Sequence, residues 1–147
     1  MNKALYGLEP VPAGRYDGHE LKKYVHQADD PHSIPHNFIY QMIEDEQNNI
    51  WILTDKGVAR YRRQSDDFFI PTNESGNNII VYSVCLTKGG VLFGSKNKIF
   101  FYNYQDASLR LLQSFEREPN YNVTLLTFGM NIPCSVVAGG RAYYYST

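Results

Sequence analysis

The sequence predicts an all-β fold, a partial β-propeller of two complete four-stranded blades and two part-blades, on three observations. Short apolar runs recur at intervals of 41 to 42 residues. Glycine, proline and asparagine separate these runs too closely for helices of about ten residues or more. Tyrosine and phenylalanine, which favour strands, supply 12 and 8 of the 147 residues. Four-stranded units that repeat about every 40 to 45 residues are typical of propeller blades.

The repeat becomes visible when segments of the chain are aligned with one another. Residues 49–54 align with residues 90–95, and residues 58–61 with residues 99–102, both 41 positions apart. Residues 40–43 align with residues 82–85, 42 positions apart, because the turn that follows is one residue shorter in the second copy. A third, degenerate copy has its three strands at residues 123–126, 136–139 and 142–145.

The best-defined unit, residues 36–72, is named blade 1. Its four strands are expected at residues 38–44, 50–54, 58–62 and 68–70, with a tight turn at Asp55-Lys56-Gly57 in which Gly57 can adopt positive φ. Residues 50–53 are apolar at every position, as expected for a strand covered on both faces. We therefore predict that Trp51 packs in the core.

The remaining parts of the chain, 1–147, are assigned by the same repeat. Blade 2 covers residues 78–117, and an incomplete third repeat, the C-terminal part-blade, covers residues 121–147. Residues 1–28 form the end of a preceding blade, the N-terminal part-blade, with its third and fourth strands expected at residues 4–6 and 21–25. Propellers need at least about four blades to close. We therefore interpret the chain as a fragment and expect its open edges to cause self-association.

Composition argues against several classes of function. With 14 basic and 15 acidic side chains, the net charge is −1, so no nucleic-acid contact is predicted. No apolar run approaches the length of a membrane span, so no membrane contact by this segment is predicted either. Cys85 is expected to be a small buried residue, and a disulfide between Cys85 and Cys134 stays open.

Neither a metal site nor a catalytic site is predicted. His32 and His36 are four residues apart, but Pro35 lies between them, so no helix presents both to one ion. The acidic run Glu44-Asp45-Glu46 is explained by a polar hairpin, since neighbouring residues of a strand point to opposite faces. We predict no cofactor and no enzymatic activity for this chain.

Ligand binding is the remaining possibility. Propellers usually bind ligands at one rim, in the loops that lead into the innermost strand and in those that join the second and third strands. Such loops carry amide, imidazole and charged groups that can form hydrogen bonds with a ligand. The candidate ligand-binding residues in these loops are His36, Asn37, Asp55, Lys56, Asn78, Lys96 and Asn97.

Residues 24–61 resemble the two-component regulator propeller repeat. That repeat runs from a D-P-x-S-[L/I]-x-x-N linker through E-D and N-[L/I]-W-I-G-T to G-[L/V]-x-x-[Y/F]. The chain departs from it at Leu53, where the family usually has glycine, and in blade 2, where Leu92 aligns with Trp51. The matching positions are Asp30-Pro31, Ser33-Ile34, Asn37, Glu44-Asp45, Asn49-Ile50-Trp51-Ile52, Thr54, Gly57-Val58 and Tyr61.

The resemblance implies a function. Members of this family form the periplasmic sensor region of hybrid two-component system histidine kinase/response regulators of Bacteroidetes, typically with seven-bladed propellers. Many respond to oligosaccharides and control polysaccharide-utilisation genes. The resemblance therefore implies a periplasmic fragment of a ligand-sensing propeller, whose partners are an oligosaccharide and the rest of the parent sensor chain.

Two other functions stay open. The propeller could be a non-sensing scaffold for protein interaction or dimerisation. A propeller enzyme acting on polysaccharide ranks last, because no set of residues with catalytic spacing stands out. Kinase activity would belong to the parent and not to these residues.

Overall fold

The computed structural model describes residues 4–6, 13–16, 18–115, 123–126, 135–138 and 141–144. Every regular element in these ranges is a β-strand, and they contain no helix long and apolar enough to cross a membrane. The strands are β1 (Ala4–Tyr6), β2 (Ala13–Tyr16), β3 (Leu21–Tyr24), β4 (Ile39–Glu44), β5 (Ile50–Thr54), β6 (Gly57–Arg62), β7 (Asp67–Phe69), β8 (Ser83–Thr87), β9 (Gly90–Ser95), β10 (Lys98–Asn103), β11 (Leu109–Ser114), β12 (Thr124–Leu126), β13 (Ser135–Ala138) and β14 (Arg141–Tyr144).

The strands form four antiparallel sheets, and within each sheet neighbouring strands follow one another along the chain. Strands β4–β7 make one four-stranded sheet and β8–β11 another, while β1–β3 and β12–β14 make sheets of three strands. A series of such meanders is the arrangement of propeller blades. The predicted all-β partial propeller, with two complete blades and two part-blades, is confirmed.

The strand positions agree closely with the pattern in blade 1 and in the C-terminal part-blade. Strand β5 has the predicted bounds, and β4, β6 and β7 each begin within one residue of the predicted position. Strand β12 begins one residue later than predicted, and β13 and β14 are each displaced by one residue. Gly57 follows the β5–β6 turn with a φ of 141°, the positive φ expected of it.

The N-terminal part-blade differs from the prediction. Strands β1 and β3 were expected to be its third and fourth strands, but β2 lies between them and pairs with both. The assignment of two strands was therefore wrong. The sequence of β2 is Ala-Gly-Arg-Tyr, which has no apolar alternation and contains a glycine, so the strand left no periodic signal.

The chain divides into two compact units, residues 1–71 and 72–147. In the first, all five residues of β5 are buried, and Trp51 is 0% exposed, as predicted. Burial of this strand on both faces explains its unbroken apolar run. The core around it consists of Ala13, Tyr24, Ile34, Ile50, Ile52, Ala59, Tyr61 and Phe68.

The second unit repeats this pattern around β9, in which five of six residues are buried. A Cβ atom on Gly90 would lie 1.9 Å from the Tyr102 carbonyl oxygen, so only glycine fits where β9 approaches β10. Cys85 is buried, as expected, and packs with Leu92, Ile99 and Val123. Cys134, its possible disulfide partner, lies outside the described residues.

Candidate functional site

One end of blade 1 brings together two of the loops expected to bind ligand. Because β4 and β5 are antiparallel and Ile39 pairs with Thr54, the segment leading into β4 lies beside the β5–β6 turn. His36 Nδ1 is 2.5 Å from Asp55 Oδ1, and each side chain is about one-third exposed. The structure therefore joins two of the predicted residues in a partly exposed polar pair, in which Asp55 Oδ1 itself is buried.

The His36 ring has two competing partners at the same nitrogen. Nδ1 accepts a hydrogen bond from the Phe38 N–H at 3.2 Å, which requires that this nitrogen carry no proton. It can donate to Asp55 only when it carries one. The His36 ring therefore lies between the start of β4 and the β5–β6 turn and contacts both.

Asn37 and Lys56 flank this pair and differ in how much of their side chain is free for a ligand. The Asn37 Oδ1 accepts a hydrogen bond from the His26 N–H at 2.7 Å, so it also fixes the linker before the blade. The Lys56 side chain is exposed, while its backbone N–H donates to Thr54 Oγ1. Lys56 thus presents a charge at the tip of the turn.

In the second unit, blade 2 has the same local arrangement. The Ser95 hydroxyl donates to the Ile80 carbonyl at 2.6 Å, which joins the segment leading into β8 to the β9–β10 turn. Lys96 is exposed in that turn, and Asn97 has a positive φ of 54°. Asn78 uses its Oδ1 to accept the Ile79 N–H at 2.8 Å. Each unit therefore carries some of the loop residues that the sequence predicts to bind ligand.

Sequence reasoning missed two aromatic residues beside the His36 pair. Tyr40 is 50% exposed at an irregularity in the pairing of β4, between Ile39 and Gln41. Such bulges turn a side chain away from the regular pleat. The Tyr40 ring meets the Phe38 ring edge to face at 5.3 Å.

The repeat itself contained a signal for Tyr40. It aligns with Tyr82, which lies just before β8 in blade 2 and is 44% exposed. A large aromatic residue that stays exposed at the same place in two blades is unusual for a strand residue that only packs. Exposed aromatic rings of this kind offer a flat apolar surface to a ligand.

The linker residues of the repeat are structural. The Ser33 Oγ accepts from the Gln27 N–H and donates to carbonyl oxygens of the same turn, while Ile34 is 0% exposed in the core. The Asp30 carboxylate accepts the His32 N–H. These contacts explain the D-P-x-S-I pattern as a turn that anchors the chain before β4.

The E-D and N-I-W parts of the repeat form one buried hydrogen-bond network. Asp45 is 4% exposed, and its carboxylate accepts the N–H groups of Gln47 and Asn49 at 2.9 Å and the Asn49 amide. It also accepts the Trp51 Nε1–H at 2.8 Å. The acidic hairpin therefore has a structural role, because Asp45 fixes the β4–β5 turn and the Trp51 ring.

A second network within the first unit joins the N-terminal part-blade to blade 1. The Asp66 carboxylate accepts hydrogen bonds from Tyr24 at 2.6 Å, Tyr61 at 2.5 Å and Arg15 at 2.9 Å, and also from Lys22. Burial acts to raise the pKa of Asp66, but these donors and the Arg15 charge outweigh it and hold that pKa well below its usual range. Burial and the bond to Asp66 raise the pKa of Tyr24 well above its ordinary value.

No group of three or more His, Cys, Asp or Glu side chains converges as a metal site would require, within the residues that the structure describes. The acidic pair Glu44 and Asp45 is divided between an exposed side chain and the buried turn network. The polar groups that remain accessible at the His36 end are suited to hydrogen bonding and stacking.

Comparison with known proteins agrees with the propeller architecture. A family model described as two component regulator propeller matches residues 33–56, which run from the linker through β5 to the β5–β6 turn. The resemblance predicted from the repeat is thus confirmed. A search of curated proteins found no match.

Two solved structures share the fold. One is the extracellular domain of a putative hybrid two component system from B. thetaiotaomicron, with a TM-score of 0.63 and 18% identity over 92% of this chain. The other is described as the extracellular domain of a putative one component system from the same organism, with a TM-score of 0.63 and 19% identity over 94%. This chain spans 20% of the length of each. Neither comparison indicates an enzymatic activity for it.

Proposed function

We propose that this chain is part of the extracytoplasmic sensor propeller of a hybrid two-component regulator, and that it contributes to binding an oligosaccharide. The observation that carries the proposal is the family match at residues 33–56, because this segment ends in the loops that hold His36 and Asp55. The extracellular origin of both structural neighbours supports a periplasmic location. The parent would carry the histidine kinase, and ligand binding would shift the equilibrium between its signalling conformations.

The chemistry of the rim supports a sugar as the ligand. The half-exposed Tyr40 ring, set against Phe38, offers a face on which the apolar side of a sugar ring can stack. His36, Asp55 and the exposed Lys56 supply donors and acceptors for hydroxyl groups. An apolar platform beside a few convergent polar groups is the usual composition of a small-molecule site.

We expect Tyr40→Ala to weaken oligosaccharide binding about tenfold, which corresponds to about 1.4 kcal/mol. Isothermal titration with neutral tetrasaccharides of glucose, mannose and xylose measures this. Tyr16→Ala is the matched control, since Tyr16 is similarly exposed at 46% but lies on β2, away from these loops. Equal affinity of both variants for the sugar that binds would contradict the role of Tyr40.

The same titration tests the loops of both blades. Lys56→Ala should weaken binding severalfold, because Lys56 is exposed in the turn that joins the second and third strands of blade 1. Lys96→Ala tests separately whether the corresponding turn of blade 2 binds sugar. Lys88→Ala is the control, as Lys88 is exposed in the turn at the opposite end of blade 2. Unchanged binding after replacement of all the rim residues would refute the proposal.

A scaffold role is the second candidate, and one observation favours it. Strand β11 lies at the edge of its sheet and exposes Leu111 and Leu112, which are 47% and 45% exposed. Exposed apolar side chains on an unpaired edge favour pairing with another chain. Binding of none of the tetrasaccharides, together with concentration-dependent dimers in light scattering, would favour this candidate. Self-association itself stays a prediction.

A further inference from the structure

A second concave site lies at the end of blade 1 opposite to His36 and Asp55. It is formed where the β4–β5 turn meets the β6–β7 turn, and it has a volume of about 560 Å³. Sites for small molecules have volumes of about 300 to 1,000 Å³. The lining residues that could contact a ligand include Gln47, Asn48, Arg60, Arg62, Arg63 and Gln64.

The lining carries three arginines and no acidic residue. Arg60 is fixed by stacking, with its guanidinium 5.1 Å from the Phe69 ring centre and 6.0 Å from that of Trp51. Arg62 is held by Asp67, whose carboxylate accepts from both Nε and Nη2 at 2.7 and 2.6 Å. Two of the guanidinium groups are therefore held in place before any ligand arrives.

The third arginine is the one most available to a ligand. Arg63 contacts Glu44 at 3.4 Å, and both side chains are exposed, at 44% and 55%. Ion pairs this long and this exposed contribute little to stability, so an incoming anion can replace Glu44 at small cost. The other carboxylates near the site already have partners, since Asp67 holds Arg62, while Asp45 and Asp66 accept hydrogen bonds from Asn49 and Tyr61 of the lining. Arg63 therefore supplies the exchangeable positive charge of the lining.

Amide groups surround these arginines. Gln47, Asn48 and Gln64 are exposed in the two turns, and each offers donors and an acceptor. Asn48 is held in the turn with a φ of 59°. Guanidinium groups match the planar geometry of carboxylates, and amides suit hydroxyl groups. The combination favours a ring that carries an anionic group among hydroxyls.

We propose that this pocket binds an acidic sugar, with Arg63 holding its anionic group and the glutamine and asparagine side chains holding its hydroxyls. The proposal does not depend on the sugar site at the opposite end of the blade. It assigns the acidic ligand to the β4–β5 and β6–β7 turns, where no residue was selected from the sequence.

Glucuronic acid and glucose are the decisive probes, because they differ only in the carboxylate. We expect NMR titration of the chain to show saturable binding of glucuronic acid and none of glucose over the same range. Arg63→Gln should weaken glucuronic acid binding at least about fivefold. Arg110→Gln is the matched control, since Arg110 is also exposed and paired with one carboxylate, that of Asp106, but lies on β11.

Three outcomes would overturn the proposal. They are absence of glucuronic acid binding, equal weakening by Arg63→Gln and Arg110→Gln, and equally strong binding of inorganic sulfate, which would indicate attraction to charge alone. Gln64→Ala serves as a second variant should Arg63→Gln fail to fold, and it should weaken glucuronic acid binding while leaving the total charge unchanged. Loss of neutral tetrasaccharide binding in Tyr40→Ala does not test this pocket. The two proposed sites can therefore be confirmed or refuted independently.

Discussion

Replacing Asp45 by alanine is expected to lower the free energy of unfolding by about 3 kcal/mol. The carboxylate is almost fully buried and is the shared acceptor of two backbone N–H groups, the Asn49 amide and the Trp51 indole. Its removal takes away the common acceptor of these donors and leaves the buried Trp51 Nε1–H without its partner. Urea denaturation followed by tryptophan fluorescence measures the change, because Trp51 is the only tryptophan.

Two further variants show whether the stability depends on the hydrogen bonds of Asp45 or on the turn as a whole. Glu46→Ala changes the exposed neighbour of Asp45 in the same turn and should leave the urea midpoint unchanged. Asp45→Asn keeps one acceptor oxygen, so its urea midpoint should lie between those of Asp45→Ala and Glu46→Ala. If Glu46→Ala lowered the free energy of unfolding as much as Asp45→Ala, the buried carboxylate could not be the source of the stabilisation.

Asp66→Ala should lower the free energy of unfolding by about 2 kcal/mol near neutral pH. The side chain accepts hydrogen bonds from four residues of the N-terminal part-blade and blade 1, and these lose their common acceptor. The matched control is Asp106→Ala, since Asp106 lies in the corresponding turn of blade 2 but is exposed and bonds mainly to its own turn. That variant should not shift the unfolding midpoint.

The effect of Asp66 should depend on pH in a direction that its pKa fixes. Because folding lowers this pKa, the stabilisation is complete above the ordinary carboxyl pKa of about 4 and declines as the pH falls below it. Urea midpoints of the parent and of Asp66→Ala should therefore converge as the pH is lowered from 6 towards 3. A difference that stays constant over this range would show that the charge of Asp66 is not the source of the stabilisation.

Much of the fold could be predicted because blade 1 satisfies several local rules at once. The unbroken apolar run of β5 reports burial on two faces, and Gly57 marks the end of its turn. Strand β2 could not be found in the same way, since its four residues contain one glycine and no alternation. Its position is decided by pairing with β1 and β3, which is a tertiary effect.

The candidate site was predictable only in part. Loop position was enough to select His36 and Asp55, and their contact follows from the antiparallel pairing of β4 with β5. The alignment of Tyr40 with Tyr82 marks a repeated aromatic residue, but its exposure depends on an irregularity in the strand pairing that the sequence does not show. The arginine pocket was missed because its residues come from two turns that are unremarkable separately and meet only in the folded sheet.

We propose above that this chain belongs to the sensor of a two-component regulator, and the source gene provides a test. We would sequence the DNA on both sides of the codons for Met1 and Thr147. If the chain is part of such a sensor, we expect further copies of the N-I-W-I-x-T pattern, followed by a membrane span and a histidine kinase. A genuine start codon at Met1 with a stop codon close after Thr147 would rule out a sensor of this kind, and the ring would then have to be completed by several copies of a short chain.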